Sequence, residues 1–212
     1  MAIPTIILVR HGRTKLNHSG MMRGWTDVPL DSIGIKESKE SAEDVAKEWP
    51  VTKIYAANLK RVEESARPME DSCGVKAKFV EALRPWNAGE LAGRKVDDLD
   101  KKIAYYVAHQ TEKPKGGEPM ADFITRLLSF MHTIFDDAES DGPIVVMTSI
   151  RPIEVIMGYL ENGMKLPIDP DRLTTKVETV GPSGIVVLTE PKRKYHWQAK
   201  VWKANKEGAN SL

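Results

Sequence analysis

The sequence predicts an α/β fold, a three-layer domain with a largely parallel sheet of about six strands and helices on both faces. Two observations predict it. Six short runs rich in β-branched and other apolar residues alternate with four longer segments of helical character. The first run is apolar throughout, as in a strand that is buried on both faces of a sheet. Strands that alternate with helices of this length indicate crossover connections, which join parallel strands.

The strands are predicted from these apolar runs and from the turns that bound them. The first run ends abruptly at Arg10, and the fourth follows the turn Asp141-Gly142-Pro143. The predicted strands cover residues 5–9, 53–57, 77–80, 144–148, 184–188 and 196–202.

Helices are predicted at residues 33–49, 61–73, 122–138 and 152–162. The third shows the clearest periodicity, with apolar residues spaced by four, four and three on one face: Phe123, Leu127, Met131 and Ile134. Residues 12–31 and 86–117 are predicted to be surface insertions.

Composition favours one globular domain over residues 1–212 and excludes several kinds of partner. A net charge of +1 provides no overall attraction to nucleic acid or to an anionic membrane. Cys73 is the single cysteine, and no apolar stretch approaches the length of a membrane span. The five histidines have no metal-ligand spacing, so neither a metal nor a cofactor is expected. These features predict a cytoplasmic protein.

The tripeptide Arg10-His11-Gly12 follows the first predicted strand, at the edge of the sheet where ligands bind in open α/β folds. A neutral imidazole nitrogen can attack phosphorus, and a guanidinium can hold two phosphate oxygens. Gly12 allows the backbone to approach a ligand without a Cβ in the way. A polar loop after a strand would contain the same residues, so the tripeptide alone is weak evidence.

Further motifs follow in an order that chance does not easily produce. They are Arg10-His11-Gly12-Arg13-Thr14-Lys15-Leu16-Asn17, Arg23-Gly24-Trp25-Thr26-Asp27-Val28-Pro29-Leu30, Asn58-Leu59-Lys60-Arg61 with Ser65-Ala66, and Gly117-Glu118. From about residue 5 to about residue 202, the chain resembles the histidine phosphatase (phosphoglycerate mutase-like) superfamily. The resemblance implies a hydrolase that transfers a phosphoryl group through a phosphohistidine.

The resemblance also implies roles for individual residues. His11 would be the nucleophile, and Arg10 and Arg61 would bind the phosphate. Asn17 and Arg23 would lie near the rim of the pocket. Arg61 also suits the start of a helix and Arg23 an ordinary loop, while Trp25 and Trp86 would either line the pocket or cover the core.

Ser149 stands where the resemblance implies a second histidine. A hydroxyl group donates one hydrogen bond but carries no positive charge, and losing one such stabilising group typically costs about a hundred- to a thousandfold in turnover. Ser149 is also a suitable N-cap for the helix that follows. The two interpretations are compatible.

The proton donor also departs from the pattern. Pro85 replaces the glutamate implied by the resemblance, and Asn87, predicted to contact substrate, has an amide that cannot supply a proton. Three acidic residues remain as candidates: Glu81, Glu90 and Glu118.

The sequence therefore predicts a phosphomonoester hydrolase scaffold with impaired turnover that acts on a small phosphorylated substrate. The alternative is a non-catalytic protein of the same fold that binds phosphate or a phosphorylated ligand. A degenerate relative and a chain altered at Ser149 or Asn87 both fit. A mutase is disfavoured because residues 83–89 lack the glutamate and no long insertion is present. An interaction module would give Arg10, His11 and Arg61 no reason to converge. The substrate and the oligomeric state stay open.

Overall fold

The computed structural model describes residues 4–174, 180–190 and 196–204 and contains a six-stranded sheet. The strands are β1 (Thr5–Arg10), β2 (Lys53–Ala57), β3 (Ala77–Val80), β4 (Ile144–Thr148), β5 (Ile185–Thr189) and β6 (Gln198–Lys203). Their order across the sheet is β3-β2-β4-β1-β5-β6. The first four in this order pair parallel to one another, whereas β5 is antiparallel to both of its neighbours. The predicted α/β class with a largely parallel sheet is confirmed.

The helices are α1 (Lys15–His18), α2 (Ser32–Glu48), α3 (Lys60–Cys73), α4 (Asp100–Ala108), α5 (Met120–Asp141), α6 (Ile150–Glu161) and α7 (Pro170–Leu173). Right-handed crossovers between the parallel strands place α2 and α3 on one face of the sheet and α5 on the other. Accordingly, α2 packs on α3 and α5 packs on α6. Every residue of β1 and β4 is buried, as in central strands covered on both faces.

Residues 86–117, predicted to be a surface insertion, instead contribute to the core. Besides α4, they contain the short 3-10 helices Gly89–Leu91 and Asp97–Leu99. Leu99, Ile103 and Val107 are buried. Their spacing of four residues is that of one helix face, but residues 100–102 are charged and residues 104–106 are Ala-Tyr-Tyr, so the sequence shows no clean alternation of apolar and polar positions.

The start of α3 is not capped by its own sequence. Leu59 occupies the N-cap position and makes no side-chain capping hydrogen bond, whereas Asp31 caps α2 by accepting from the Gly34 N–H at 2.9 Å. Because β1, β4 and β2 run parallel, their carboxyl ends lie at the same edge of the sheet. The segments containing His11, Ser149 and Arg61 follow these three strands and are therefore neighbours.

Candidate active site

His11 lies directly beyond β1 and is fully buried. Its backbone N–H donates to the Thr148 carbonyl at 2.9 Å, which ties it to the neighbouring strand β4. The ring Nδ1 lies 2.7 Å from the Gly12 carbonyl oxygen. A carbonyl only accepts, so Nδ1 carries the proton and Nε2 carries the lone pair. This Nε2 is buried and has no hydrogen-bond partner in the described part of the chain.

The electrostatic surroundings of His11 keep its ring neutral. Burial lowers the pKa of His11 well below its ordinary value, and the positive charges of Arg61, Arg23 and Arg10 lower it further. The hydrogen bond to the Gly12 carbonyl has the opposite, smaller effect. At neutral pH the side chain therefore presents an unprotonated nitrogen surrounded by cations.

Arg10 and Arg61 are 3% and 1% exposed, so two guanidinium groups are buried close to this imidazole. Arg10 Nη1 donates to the Val180 carbonyl at 2.7 Å. Arg61 donates through Nη1 to the Thr26 carbonyl at 2.9 Å and through Nη2 to the Gly24 carbonyl at 3.0 Å. Its Nε is buried and has no partner among the described residues. The structure brings these three predicted residues together, and their roles toward phosphate stay predictions.

Gly12 is required by packing against α2. Its N–H donates to Ser65 Oγ at 3.0 Å. A Cβ at this position would overlap the Gly34 carbonyl oxygen and lie 2.6 Å from Ser38 Oγ. The close approach that the sequence assigned to a ligand is therefore made by a helix, while its role toward substrate stays a prediction.

Ser149 lies beside His11, because the strand register pairs Arg10 with Thr148. It occupies the N-cap position of α6, as predicted, but its side chain makes no capping hydrogen bond. The hydroxyl oxygen is buried and has no partner within residues 4–174, 180–190 and 196–204. The next segment along the sheet edge thus contributes a second buried polar atom without a partner among the described residues.

Asn17 and Arg23 were predicted at the rim of the pocket. Asn17 Oδ1 accepts from the N–H and hydroxyl of Thr14, at 3.1 and 2.7 Å, and completes the capping box of α1. This oxygen therefore stabilises the loop after the nucleophile. The half-buried Arg23 contributes to the lowered pKa of His11, so its charge acts on the site. Substrate contact by either residue stays a prediction.

Asn87 lines an open cleft of about 630 Å³. Its backbone N–H donates to Glu118 Oε1 at 2.7 Å, and its Oδ1 accepts from the Gly89 N–H at 3.2 Å. The cleft adjoins Arg61, since Thr26 both lines it and accepts from that guanidinium. Its lining residues are Trp25, Thr26, Asn87, Gly89, Glu90, Ala92, Lys115 and Gly116.

The three acidic candidates differ in their surroundings. Glu118 accepts two hydrogen bonds from Arg126, one from Nη2 at 2.6 Å and one from Nε at 3.0 Å. Glu81 is largely exposed and lies 3.8 Å from the Arg84 guanidinium. Among the three, Glu90 alone lines the cleft.

Contacts at the mouth of the site join segments that are distant in sequence, so local sequence patterns do not indicate them. Trp25 Nε1 donates to the Pro85 carbonyl at 2.8 Å, and the Arg84 guanidinium lies 4.5 Å from the centre of the Trp25 ring. Trp86 is buried in the core, and its Nε1 donates to the Glu118 carbonyl at 2.8 Å. Only Trp25 of the two tryptophans lines the cleft.

The described residues also bear on metal binding and on membrane crossing. Within the described ranges, no three His, Cys, Asp or Glu side chains group closely enough to hold a metal ion. No helix described here has both the length and the apolar character needed to cross a membrane.

The chain is similar in sequence to known proteins. The family model described as "Histidine phosphatase superfamily (branch 1)" matches residues 6–175. A curated relative from Yersinia pestis, "Probable phosphoglycerate mutase GpmB", is 30% identical over 132 residues, which are 62% of this chain. The match spans 61% of that relative, so the chain spans about three fifths of the length of the curated relatives it matches.

Two solved structures have a similar fold. "Mycobacterial hydrolase 1" superimposes with a TM-score of 0.78 at 20% identity, over 96% of this chain and 100% of that chain. A mycobacterial glucosyl-3-phosphoglycerate phosphatase in complex with VO3 also gives a TM-score of 0.78 at 20% identity, over 95% and 99% of the two chains.

Proposed function

Because this chain belongs to the histidine phosphatase superfamily, we propose that it is a phosphomonoester hydrolase that acts through a phosphohistidine at His11. The observation that carries the proposal is the state of this side chain. It is fully buried, its Nε2 has no partner among the described residues, and burial together with the charges of Arg61, Arg23 and Arg10 lowers its pKa, which favours the neutral ring. A nucleophile for phosphorus and cations for phosphate oxygens are thereby supplied at one place.

In the proposed reaction, Arg10 and Arg61 bind the oxygens of the phosphoryl group and orient phosphorus toward His11. Nε2 attacks phosphorus and forms the P–N bond while the P–O bond to the leaving group breaks. The oxygen of the leaving group takes the bonding electron pair and a proton from solvent water, which is balanced when the water that attacks in the next step gives a proton back to solvent. Water then attacks the phosphohistidine, and cleavage of the P–N bond releases phosphate and regenerates the neutral imidazole.

We propose that turnover is impaired because two positions contribute no charge or proton. The Ser149 hydroxyl donates a hydrogen bond where an imidazolium would add positive charge. Asn87 faces the cleft with an amide, which cannot protonate the leaving oxygen. These same two features favour the alternative, a protein that binds phosphate or a phosphorylated ligand without hydrolysing it.

The ligand we propose is a small phosphorylated molecule, in line with the names of the similar phosphatases and mutases. Its non-phosphate part would occupy the cleft beside Trp25 and Asn87. A cytoplasmic location and the absence of nucleic-acid partners remain predictions from composition.

The test measures binding and turnover on the same protein. Inorganic phosphate and vanadate binding are followed by calorimetry, and p-nitrophenyl phosphate hydrolysis is followed by absorbance. Binding together with turnover that is lost in His11→Ala supports the hydrolase. Binding without turnover above background favours the alternative, and the absence of binding contradicts both.

A further inference from the structure

We propose that Asp27 is a positioning residue of this site, which anchors the loop of residues 24–27 on α3 so that the loop carbonyls hold Arg61 in its binding orientation. This inference rests on the proposed role of Arg61 in binding phosphate. Asp27 lies in the segment of residues 23–30, and the family resemblance implies no role for it.

Asp27 caps a helix to which it does not belong. Its Oδ1 accepts from the Lys60 N–H at 2.6 Å, and Lys60 is the first residue of α3. The first N–H groups of a helix have no partner within the helix, and Leu59 at the N-cap position makes no side-chain bond to them. The loop therefore supplies, from 33 residues away, the cap that α3 lacks.

The same loop also holds the guanidinium of Arg61, the residue that follows Lys60. Gly24 and Thr26 accept from the two terminal nitrogens of Arg61, at 3.0 and 2.9 Å. The Nε–H, which is buried without a partner in the described part of the chain, remains for a ligand. An arginine that is already held in place loses less conformational freedom when it binds phosphate.

The chain just beyond this loop is also bound to α3, because the Leu30 N–H donates to Glu64 Oε2 at 2.7 Å. Asp27 itself is exposed. Its replacement therefore leaves no buried group unpaired, and its variants should fold. Asp27 also favours the charged form of Arg61: burial lowers the pKa of Arg61 to about 10, and the Asp27 carboxylate opposes that change.

The first experiment measures the affinity of the full chain for inorganic phosphate by calorimetry. We expect Asp27→Ala to weaken binding about tenfold, as for the loss of one charge-assisted hydrogen bond. Asp27→Asn retains an oxygen that accepts from Lys60 and should stay within about threefold of the wild type. Glu63→Ala removes a carboxylate from the first turn of α3 and should leave the affinity for phosphate unchanged. Equal affinity in Asp27→Ala and the wild type would overturn the proposal.

A double-variant cycle separates action through Arg61 from a general change in the loop. The Arg61→Lys side chain has no planar fork and cannot donate to both carbonyls in the same way. In that background we expect Asp27→Ala to change phosphate affinity by less than about twofold. A tenfold loss that persists in this background would show that Asp27 acts on something other than Arg61.

A second measurement does not depend on phosphate binding. The Arg61 Nε–H signal is assigned in nitrogen-15 NMR spectra by its loss in Arg61→Lys. We expect it to exchange slowly with water in the wild type and at least about tenfold faster in Asp27→Ala. Identical exchange in the two proteins overturns the positioning role, whereas failure of the wild type to bind phosphate overturns only the proposed function.

Discussion

The residues of the candidate site form two groups that differ in charge. In the first group, the positive charges of Arg10, Arg23 and Arg61 act on the buried His11. In the second group, Ser149 carries a hydroxyl group and Asn87 an amide. The two groups alternate along the sheet edge, because β4 lies between β1 and β2. On the proposed function, the first group binds and attacks the phosphoryl group and the second assists its transfer, so changes in the second group can alter turnover while phosphate binding is kept.

The largest effect should come from the nucleophile in the first, charged group. We expect His11→Ala to lower p-nitrophenyl phosphate turnover by about ten-thousandfold or to background, because no P–N bond can form. Mass spectrometry at neutral pH should detect a phosphorylated wild-type protein and no phosphorylated variant. His109→Ala, at an exposed position, is the matched control. A phosphorylated His11→Ala protein would place the nucleophile elsewhere.

A smaller loss should follow from removing one cation of the same group. We expect Arg61→Ala to weaken phosphate binding about a hundredfold, because a buried charge-assisted contact is lost. Arg67→Ala removes an exposed arginine from the same helix and should leave the affinity unchanged. Calorimetry at constant salt measures both. Equal affinities in the two variants would remove Arg61 from the site.

Adding a positive charge at Ser149 tests whether the second group limits turnover. We expect Ser149→His to raise p-nitrophenyl phosphate turnover by about tenfold to a hundredfold. This range is below the full effect because the surrounding side chains have not been selected to orient an imidazole. Ser149→Asn adds bulk without positive charge and serves as the control. If Ser149→His folds and binds phosphate but stays inactive, the binding-only alternative becomes the better account.

Supplying a proton in the cleft should have an effect that depends on the leaving group. We expect Asn87→Asp to raise hydrolysis of an alkyl phosphate about tenfold and that of an aryl phosphate little, because an aryl leaving group needs little protonation. Steady-state kinetics with the two substrates measure this difference. Asn87→Ala, which adds no acid, controls for the lost amide. An equal gain with both substrates would contradict a proton-donor role at this position.

The smallest effect concerns stability at acid pH. Burial, followed by the charges of Arg61, Arg23 and Arg10, lowers the pKa of His11 well below 6.5. Below about pH 6.5 the unfolded chain therefore binds a proton that the native protein does not, and the free energy of unfolding falls as pH falls toward the native pKa. We expect His11→Gln to lessen this fall by about 1 to 2 kcal/mol between pH 7 and pH 5. Urea unfolding measures it, and an unchanged pH dependence would contradict the lowered pKa.

The sequence predicted the six strands and four long helices to within a few residues, because apolar runs and helical periodicity are local properties. It missed α4, where Leu99 and Ile103 are separated by charged residues but Ile103 and Val107 by Ala-Tyr-Tyr, so that no clear apolar face stands out. At the site, the motifs indicated His11 and Arg61. The cap that Asp27 provides for α3 was not predictable from them, because it depends on how two distant segments meet in space.

The fluorescence of Trp25 can report whether a ligand occupies the cleft. Its indole lines the cleft, and the guanidinium of Arg84 lies 4.5 Å from the ring centre, so the ring is placed in a strong and directional electric field. Indole emission responds to such fields and to the exclusion of water. A ligand that enters the cleft changes both for Trp25, whereas Trp49, Trp86, Trp197 and Trp202 do not line it. Occupancy of the cleft is thus readable from the intrinsic fluorescence of the unlabelled protein.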